Sequence, residues 1–147
     1  MKLLKFGGLV LAMTLLFGCA TPGGLTKSGN RITVAYGHEV LQDKDRLEVF
    51  QDLRVVEYVH QYVSRELKGD RLRQPLEIDI TITAMMLRMS SFNKAPSRMH
   101  VEVVVREGDQ ELTRYRESYH TRENSIDAVR KMSDAFAEDV AERVRKL

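Results

Sequence analysis

The sequence lacks residues on which several classes of small protein depend. Its 147 residues include no tryptophan, three prolines and a single cysteine, Cys19. With one cysteine no intrachain disulfide can form, so the fold must rest on an ordinary apolar core. Hydrophobic residues make up 43% of the chain, which permits such a core. The 23 Lys and Arg residues nearly balance 21 Asp and Glu residues, which argues against a nucleic-acid-binding protein steered by its field.

Catalytic motifs are also missing. The sequence contains no H-E-x-x-H zinc signature, no G-x-S-x-G nucleophile elbow and no glycine-rich phosphate loop. Its four histidines, at positions 38, 60, 100 and 120, are scattered along the chain. The sequence therefore predicts a protein that is not an enzyme and that carries no cofactor.

The N-terminal segment has the composition of a secretory signal. Lys2 and Lys5 form a basic start, residues 9–17 are almost entirely apolar, and the apolar run ends at Gly18 and Cys19. This run is too short to span a bilayer, which takes about 20 apolar residues. The pattern predicts export from the cytoplasm. An ordinary signal peptide, in which the cysteine is coincidental, is one interpretation.

A second interpretation follows from Leu16, Gly18 and Cys19, which match the lipobox pattern of leucine, a variable residue, a small residue and cysteine. On these residues the chain resembles bacterial lipoproteins. The resemblance implies cleavage before Cys19, diacylglycerol on its sulfur and acylation, such as palmitoylation, of its new amine. Several acyl chains, at ~0.8 kcal/mol per buried CH₂, anchor a protein firmly to a membrane. Because Ala20 is not acidic, the family pattern implies the periplasmic face of the outer membrane.

This interpretation divides the chain into three parts. Residues 1–18 are the lipoprotein signal peptide, residues 19–30 are a flexible tether rich in Gly, Thr, Pro and Ser, and residues 31–147 are a single periplasmic domain. Removing the signal peptide also removes Lys2 and Lys5, which leaves 21 charges of each sign. The expected partners are the membrane, through the lipid on the cysteine, and other proteins, but no nucleic acid.

Apolar periodicity in the domain predicts an α+β fold with the order β-α-β-β-β-α. Four strands and two helices follow from the pattern: strands at Arg31–Tyr36, Leu76–Thr83, Met99–Val105 and Leu112–His120, and helices at Asp45–Leu67 and Asn124–Leu147. Wide apolar stripes on the helices and alternation in the strands predict one antiparallel sheet with two helices on one face. This order, behind a lipobox, resembles small accessory lipoproteins of the Gram-negative envelope, which implies a non-catalytic protein that binds or scaffolds an envelope assembly.

The register of the hairpin between the last two strands has two solutions. A two-residue turn at Gly108 sets Arg106 opposite Glu111 and points Arg114 toward the helices. A bulged turn shifts the register and points Tyr115 toward the helices instead.

Strict alternation places Met85 and Leu87 on the sheet face away from the helices, where Val104 would join them, together with Tyr115 in one of the two registers. An apolar patch on that face predicts contact with another envelope protein or with a second copy of the chain. The alternative is that the tether or the loop at residues 90–98 covers the patch.

Two further surfaces come from residue type. Soft thioethers and an imidazole surround one loop and suit Cu(I), so the alternative function is a periplasmic copper-binding or small-ligand-binding lipoprotein. Methionine also fills irregular cores, and no metal site is assigned. The residues concerned are Met85, Met86, Met89, Met99 and His100. Five basic residues also form a candidate basic edge: Lys94, Arg98, Arg114, Arg116 and Arg122. Interleaved glutamates predict that most of this edge is a solvated ribbon of salt bridges.

Overall fold

The computed structural model describes residues 24–25, 29–68, 75–90, 92 and 94–147, with the backbone alone described at 24–25. The predicted signal peptide and the predicted lipidation site at Cys19 lie outside these residues. The elements are β1 Gly24–Leu25, β2 Arg31–Tyr36, α1 His38–Gln42, α2 Lys44–Asp52, α3 Val55–Glu66, β3 Glu77–Met86, β4 Ser97–Glu107, β5 Gln110–Thr121 and α4 Ser125–Val144.

The α+β class is confirmed, but the purely antiparallel sheet and the predicted element order are wrong. The strands lie in the order β1-β2-β3-β4-β5, and the β2–β3 pair is parallel, with Arg31 opposite Glu77 and Tyr36 opposite Ile82. The other three pairs are antiparallel. The helical segment between β2 and β3 returns the chain to the end of the sheet where β2 began, so β3 runs in the same direction as β2.

The core lies between one face of the sheet and the helices. Alternate residues of β2 and β3 are fully or almost fully buried, as in Ile32, Ile78 and Ile80, while their neighbours remain accessible. Val59 of α3 and Phe136 of α4 are fully buried against this face. Each fully buried aliphatic or aromatic side chain contributes roughly 1.5–3 kcal/mol relative to an exposed one.

The single helix predicted from Asp45 to Leu67 is divided in the structure. Helix α2 begins after Asp43, and the helical path is interrupted at Arg54, which has a left-handed backbone with φ of 53°. Phe50 and Val55 are both buried although five residues of a straight helix would place them about 140° apart. The interruption therefore reorients α3 so that both side chains reach the core.

Within the segment predicted as a tether, residues 24–25 and 30 contact the domain. β1 pairs with β2 through Gly24 and Leu25. Asn30 is fully buried, and its side-chain oxygen accepts a hydrogen bond from the Leu76 backbone N–H at 2.9 Å. This bond joins the start of β2 to the start of β3 at one end of the sheet.

A bulge at Thr83 reverses the alternation of β3. The register passes from Ile82 opposite Val101 to Ala84 opposite His100, which leaves one extra residue in β3. The Thr83 hydroxyl donates to the His100 carbonyl oxygen at 3.3 Å. A bulge of this kind moves every later side chain of the strand to the opposite face.

Gly37 lies directly against this bulge. Its N–H donates to the Ile82 carbonyl oxygen at 2.8 Å. A Cβ at Gly37 would lie 3.2 Å from the Thr83 Cα, so the close approach of the two backbones favours a residue without a side chain.

The hairpin between β4 and β5 combines the two predicted registers. Glu107 pairs with Gln110 around a two-residue turn, and Arg106 lies opposite Glu111, as the first register predicted. The register then shifts by one residue at Leu112. From that point the second register holds, and Tyr115 faces the helices.

Candidate functional site

The four residues predicted to form an apolar interface do not form an open patch. Met85 belongs to the core and is 5% exposed, and Leu87 is partly buried against the same core. Tyr115 faces α4, where the Arg143 guanidinium carbon lies 4.2 Å from the centre of its ring. Val104 does lie on the outer sheet face, between its register partners, but it is buried. The prediction that Met85 and Tyr115 lie on the sheet face away from the helices is wrong. The bulges at positions 83 and 112 each add one residue to a strand, so the side chains beyond them change faces.

The exposed apolar side chains lie instead at the end of β3 and in the loop after it. Four large apolar side chains are exposed in the described part of the chain, and three of them are Met86, Met89 and Phe92. Phe92 is 94% exposed and Met89 is 57% exposed, whereas the fourth, Leu147, is the chain's last residue. The sequence placed Phe92 in a loop but gave no indication of its exposure.

The base of this loop is tied to the connection between β5 and α4. The Arg88 side chain donates to the carbonyl oxygens of Ser90 and Arg122, at 3.1 and 2.9 Å. The buried Ser97 hydroxyl accepts from the Arg88 N–H at 2.9 Å and donates to the Glu123 carbonyl oxygen at 3.1 Å. These bonds hold the two ends of the exposed loop in defined positions.

Three cations lie on the elements that carry or flank the exposed apolar side chains. Arg98 lies opposite Met86 on β3 and opposite His120 on β5. Lys94 is exposed in the same loop as Phe92. Arg122 is exposed just after β5, and its carbonyl oxygen is bonded to Arg88 at the base of that loop. None of the three cations forms an ion pair with a carboxylate of the described residues. We call the set Met86, Met89, Phe92, Lys94, Arg98 and Arg122 the loop-end surface.

Other basic residues of the predicted edge are paired, as the sequence indicated. On the outer face Glu102 accepts hydrogen bonds from both Arg116 and Arg114, and the Arg114–Glu102 contact is 2.8 Å. The Arg116 hydrogen bond, assisted by Arg114, holds the pKa of the Glu102 carboxyl below its usual value. Arg114 also binds Glu111 at 2.9 Å and lowers the pKa of that carboxyl in the same way. The salt-bridged ribbon is thus confirmed for Arg114 and Arg116 and absent at the three cations of the loop-end surface.

A third polar group fills the rim between β5 and α4. We call Tyr115, Glu117, Tyr119, Asp139 and Arg143 the rim cluster. Tyr119 packs edge-on against Phe136, and its hydroxyl donates to Asp139 at 3.1 Å. Arg143 donates to Asp139 at 3.0 Å and to Glu117. Burial, with a smaller contribution from the Asp139 carboxylate, raises the pKa of both tyrosines.

The thioethers proposed for copper lie in different environments. Met85 and Met99 are register partners inside the core, whereas Met86 and Met89 are exposed. His100 is exposed on β4. Among the described residues, no group of three or more His, Cys, Asp or Glu side chains is placed to hold a metal ion. In the same residues no helix is long and apolar enough to cross a membrane.

Comparison with known proteins adds no family to this geometry. No protein-family model matches the chain, and no curated protein is significantly similar to it. The features that point to a function are therefore the loop-end surface and the N-terminal sequence.

Proposed function

We propose that the protein is a non-catalytic lipoprotein of the periplasmic face of the outer membrane. Lipid on Cys19 would anchor it, and its α+β domain would bind or scaffold another protein of the envelope. The lipobox pattern of Leu16, Gly18 and Cys19 supports the anchor. The loop-end surface supports the binding role, and its position replaces the patch that the sequence suggested at Met85 and Leu87.

The single observation that supports the binding role is the concentration of exposed apolar side chains at the end of β3 and in the loop after it. Met86, Met89 and Phe92 are near neighbours in the chain, whereas large apolar side chains elsewhere in the described domain are buried or partly buried, apart from Leu147. Complete transfer of such a side chain from water into an apolar site yields roughly 1.5–3 kcal/mol, and Phe92, at 94% exposure, has nearly all of its area to bury. A partner that covers the loop therefore gains several kcal/mol without any change in the fold, and an exposed patch of this kind marks an interaction site.

The anchor is tested by mass spectrometry of the protein purified from membranes. We expect a mature N-terminus at Cys19 that carries acyl chains, and release from membranes by detergent but not by salt. Cys19→Ala should retain the signal peptide and lose the acyl mass. An unacylated native protein that partitions into buffer without detergent would refute the anchor.

The binding role is tested separately by cross-linking in whole cells. Phe92→Asp combined with Met89→Asp should abolish the cross-linked complex while the domain remains folded, because both side chains are exposed. Leu147→Asp is the matched control, since it changes an exposed apolar residue of another region. Equal complex formation by the two variants would remove the loop from the binding role.

A further inference from the structure

The loop-end surface lies at the end of the sheet opposite to the starts of β2 and β3. β2 and β3 are parallel and start together, and β1 pairs with the first residues of β2. From Ile78, beside the pairing with β1, to Met86 the chain advances eight residues along β3, or roughly 25 Å. Phe92 lies further along the chain, in the loop that follows.

The length of chain before β1 limits the position of the anchor. Five peptide units separate Cys19 from Gly24 and span at most about 18 Å when fully extended. This reach is shorter than the strand that separates β1 from the loop. A lipid held at Cys19 in the bilayer therefore keeps β1, and the domain with it, close to that membrane.

The charges of this surface identify the chemistry of its partner. Lys94, Arg98 and Arg122 lack an ion pair with any carboxylate in the described part of the chain, in contrast to Arg114 and Arg116 on the same sheet. Complementary carboxylates on a partner would steer its approach and fix its orientation. A symmetric contact between two copies through this surface would instead bring like charges together.

On the premise of the proposed function, we infer that the loop-end surface docks a protein whose apolar pocket is bordered by carboxylates. Phe92 inserts into the pocket, with Met86 and Met89 beside it. The cations Lys94, Arg98 and Arg122 contact the acidic border.

The test is photo-cross-linking in living cells with the full-length lipidated protein, carrying a benzoylphenylalanine at position 92. The control carries the same probe at Leu147. The start of α4 is tied to the loop, since the Ser125 N–H donates to the Arg88 carbonyl oxygen at 3.0 Å. The 20 residues of the helix place Leu147 about 30 Å away. We expect a protein adduct at position 92 that position 147 does not form.

Two charge variants then test the acidic border. Lys94→Glu with Arg98→Glu should reduce the adduct at position 92 at least tenfold. Lys44→Glu with Lys68→Glu is the matched control, because it makes the same charge change at two exposed lysines of other regions and should leave the adduct unchanged. Thermal unfolding of both variants shows whether the domain is intact. Once the cross-linked peptide is mapped, changing its Asp and Glu residues to Lys should restore the adduct of the Lys94→Glu, Arg98→Glu variant.

The inference would be overturned by an adduct with phospholipid or with a second copy of the chain, or by the absence of any adduct. A protein adduct that does not depend on Lys94 and Arg98 would overturn it too. Bilayer insertion has an independent readout, because the chain contains no tryptophan. Phe92→Trp in vesicles with brominated phosphatidylglycerol should fluoresce without quenching if the loop binds protein rather than lipid. None of these outcomes bears on the acylation of Cys19, so the anchor is judged separately by its mass.

Discussion

The rim cluster and the loop-end surface contain the same kinds of side chain, aromatic rings and arginines. They are packed and paired in the rim cluster and exposed at the loop-end surface. In the rim cluster Arg143 contacts two carboxylates and lies 4.2 Å from the Tyr115 ring centre. At the loop-end surface Phe92 is 94% exposed, and Arg98 has no ion pair with a described carboxylate. The Arg143 guanidinium of the rim cluster is paired within the fold, whereas the cations of the loop-end surface form no ion pair with a carboxylate of the described residues.

The position of each region in the sheet explains the difference. β5 is a 12-residue edge strand, and edge strands invite pairing with other chains. Glu117 of β5 points toward the helices and is bound by Arg143 of α4. An added strand would cover this ion pair and remove it from water, which costs free energy. The rim cluster thus protects the edge of the sheet, and the loop end is left as the surface suited to binding.

The largest expected contrast is between two aromatic truncations. Tyr119→Ala removes the edge contact with Phe136 and the hydrogen bond to Asp139, so we expect the free energy of unfolding to fall by roughly 2–3 kcal/mol. Phe92→Ala removes an exposed ring and should change it by less than about 0.5 kcal/mol. Urea denaturation of both variants measures the difference. Equal losses would show that Phe92 packs within the domain and would break the comparison.

High pH should lower the free energy of unfolding by a smaller amount, through the two tyrosines of the rim cluster. Burial raises the pKa of Tyr115 and Tyr119 above the ordinary value of 10.0, so both bind their protons more tightly in the folded protein than in the unfolded chain. Their contribution to stability is therefore complete below pH 10 and is lost as the pH rises above it. We expect a loss of about 1 kcal/mol per tyrosine at one pH unit above that value.

The control for the pH dependence is the double variant Tyr115→Phe, Tyr119→Phe, which has no phenol to ionise at either site. Its stability should depend less on pH above 10 than that of the natural protein. Phe92 variants should keep the natural pH dependence, since their loop contains no tyrosine. If the double variant showed an unchanged slope, the two phenols would ionise equally in the folded and unfolded states.

Sequence periodicity predicted the packing of the elements better than their direction or register. The faces of β2 and β3 follow from alternation, and Ile32, Ile78 and Ile80 are buried as expected. The direction of β3 relative to β2 depends on how the helical segment crosses the sheet, which no local pattern records. The parallel direction of β3 could therefore not be predicted from periodicity.

The candidate site was misplaced because single-residue bulges leave little trace in a sequence. Thr83 suits a regular strand as well as a bulge, and one extra residue there exchanges the faces of Met85 and Met86. The combination Thr83 and Gly37 becomes informative only once the two are known to be in contact. Exposure of Phe92 has no local signature either, since a loop aromatic is as readily folded over the domain as held in solvent.

The smallest contrast, and the most direct comparison of the two regions, is between two arginines. Arg143→Gln loses ion pairs with Glu117 and Asp139 that are only partly exposed, so we expect a loss of about 1 kcal/mol in the free energy of unfolding. Arg98→Gln loses no ion pair with a described carboxylate and should change it by less than about 0.3 kcal/mol, while weakening the adduct at position 92. Denaturation at low and high salt separates the two further, because high salt should reduce the destabilisation caused by Arg143→Gln, whose lost ion pairs it screens, and should leave that of Arg98→Gln unchanged. The comparison fails if Arg98→Gln proves the more destabilising change, since the cation of the loop end would then serve the fold rather than a partner.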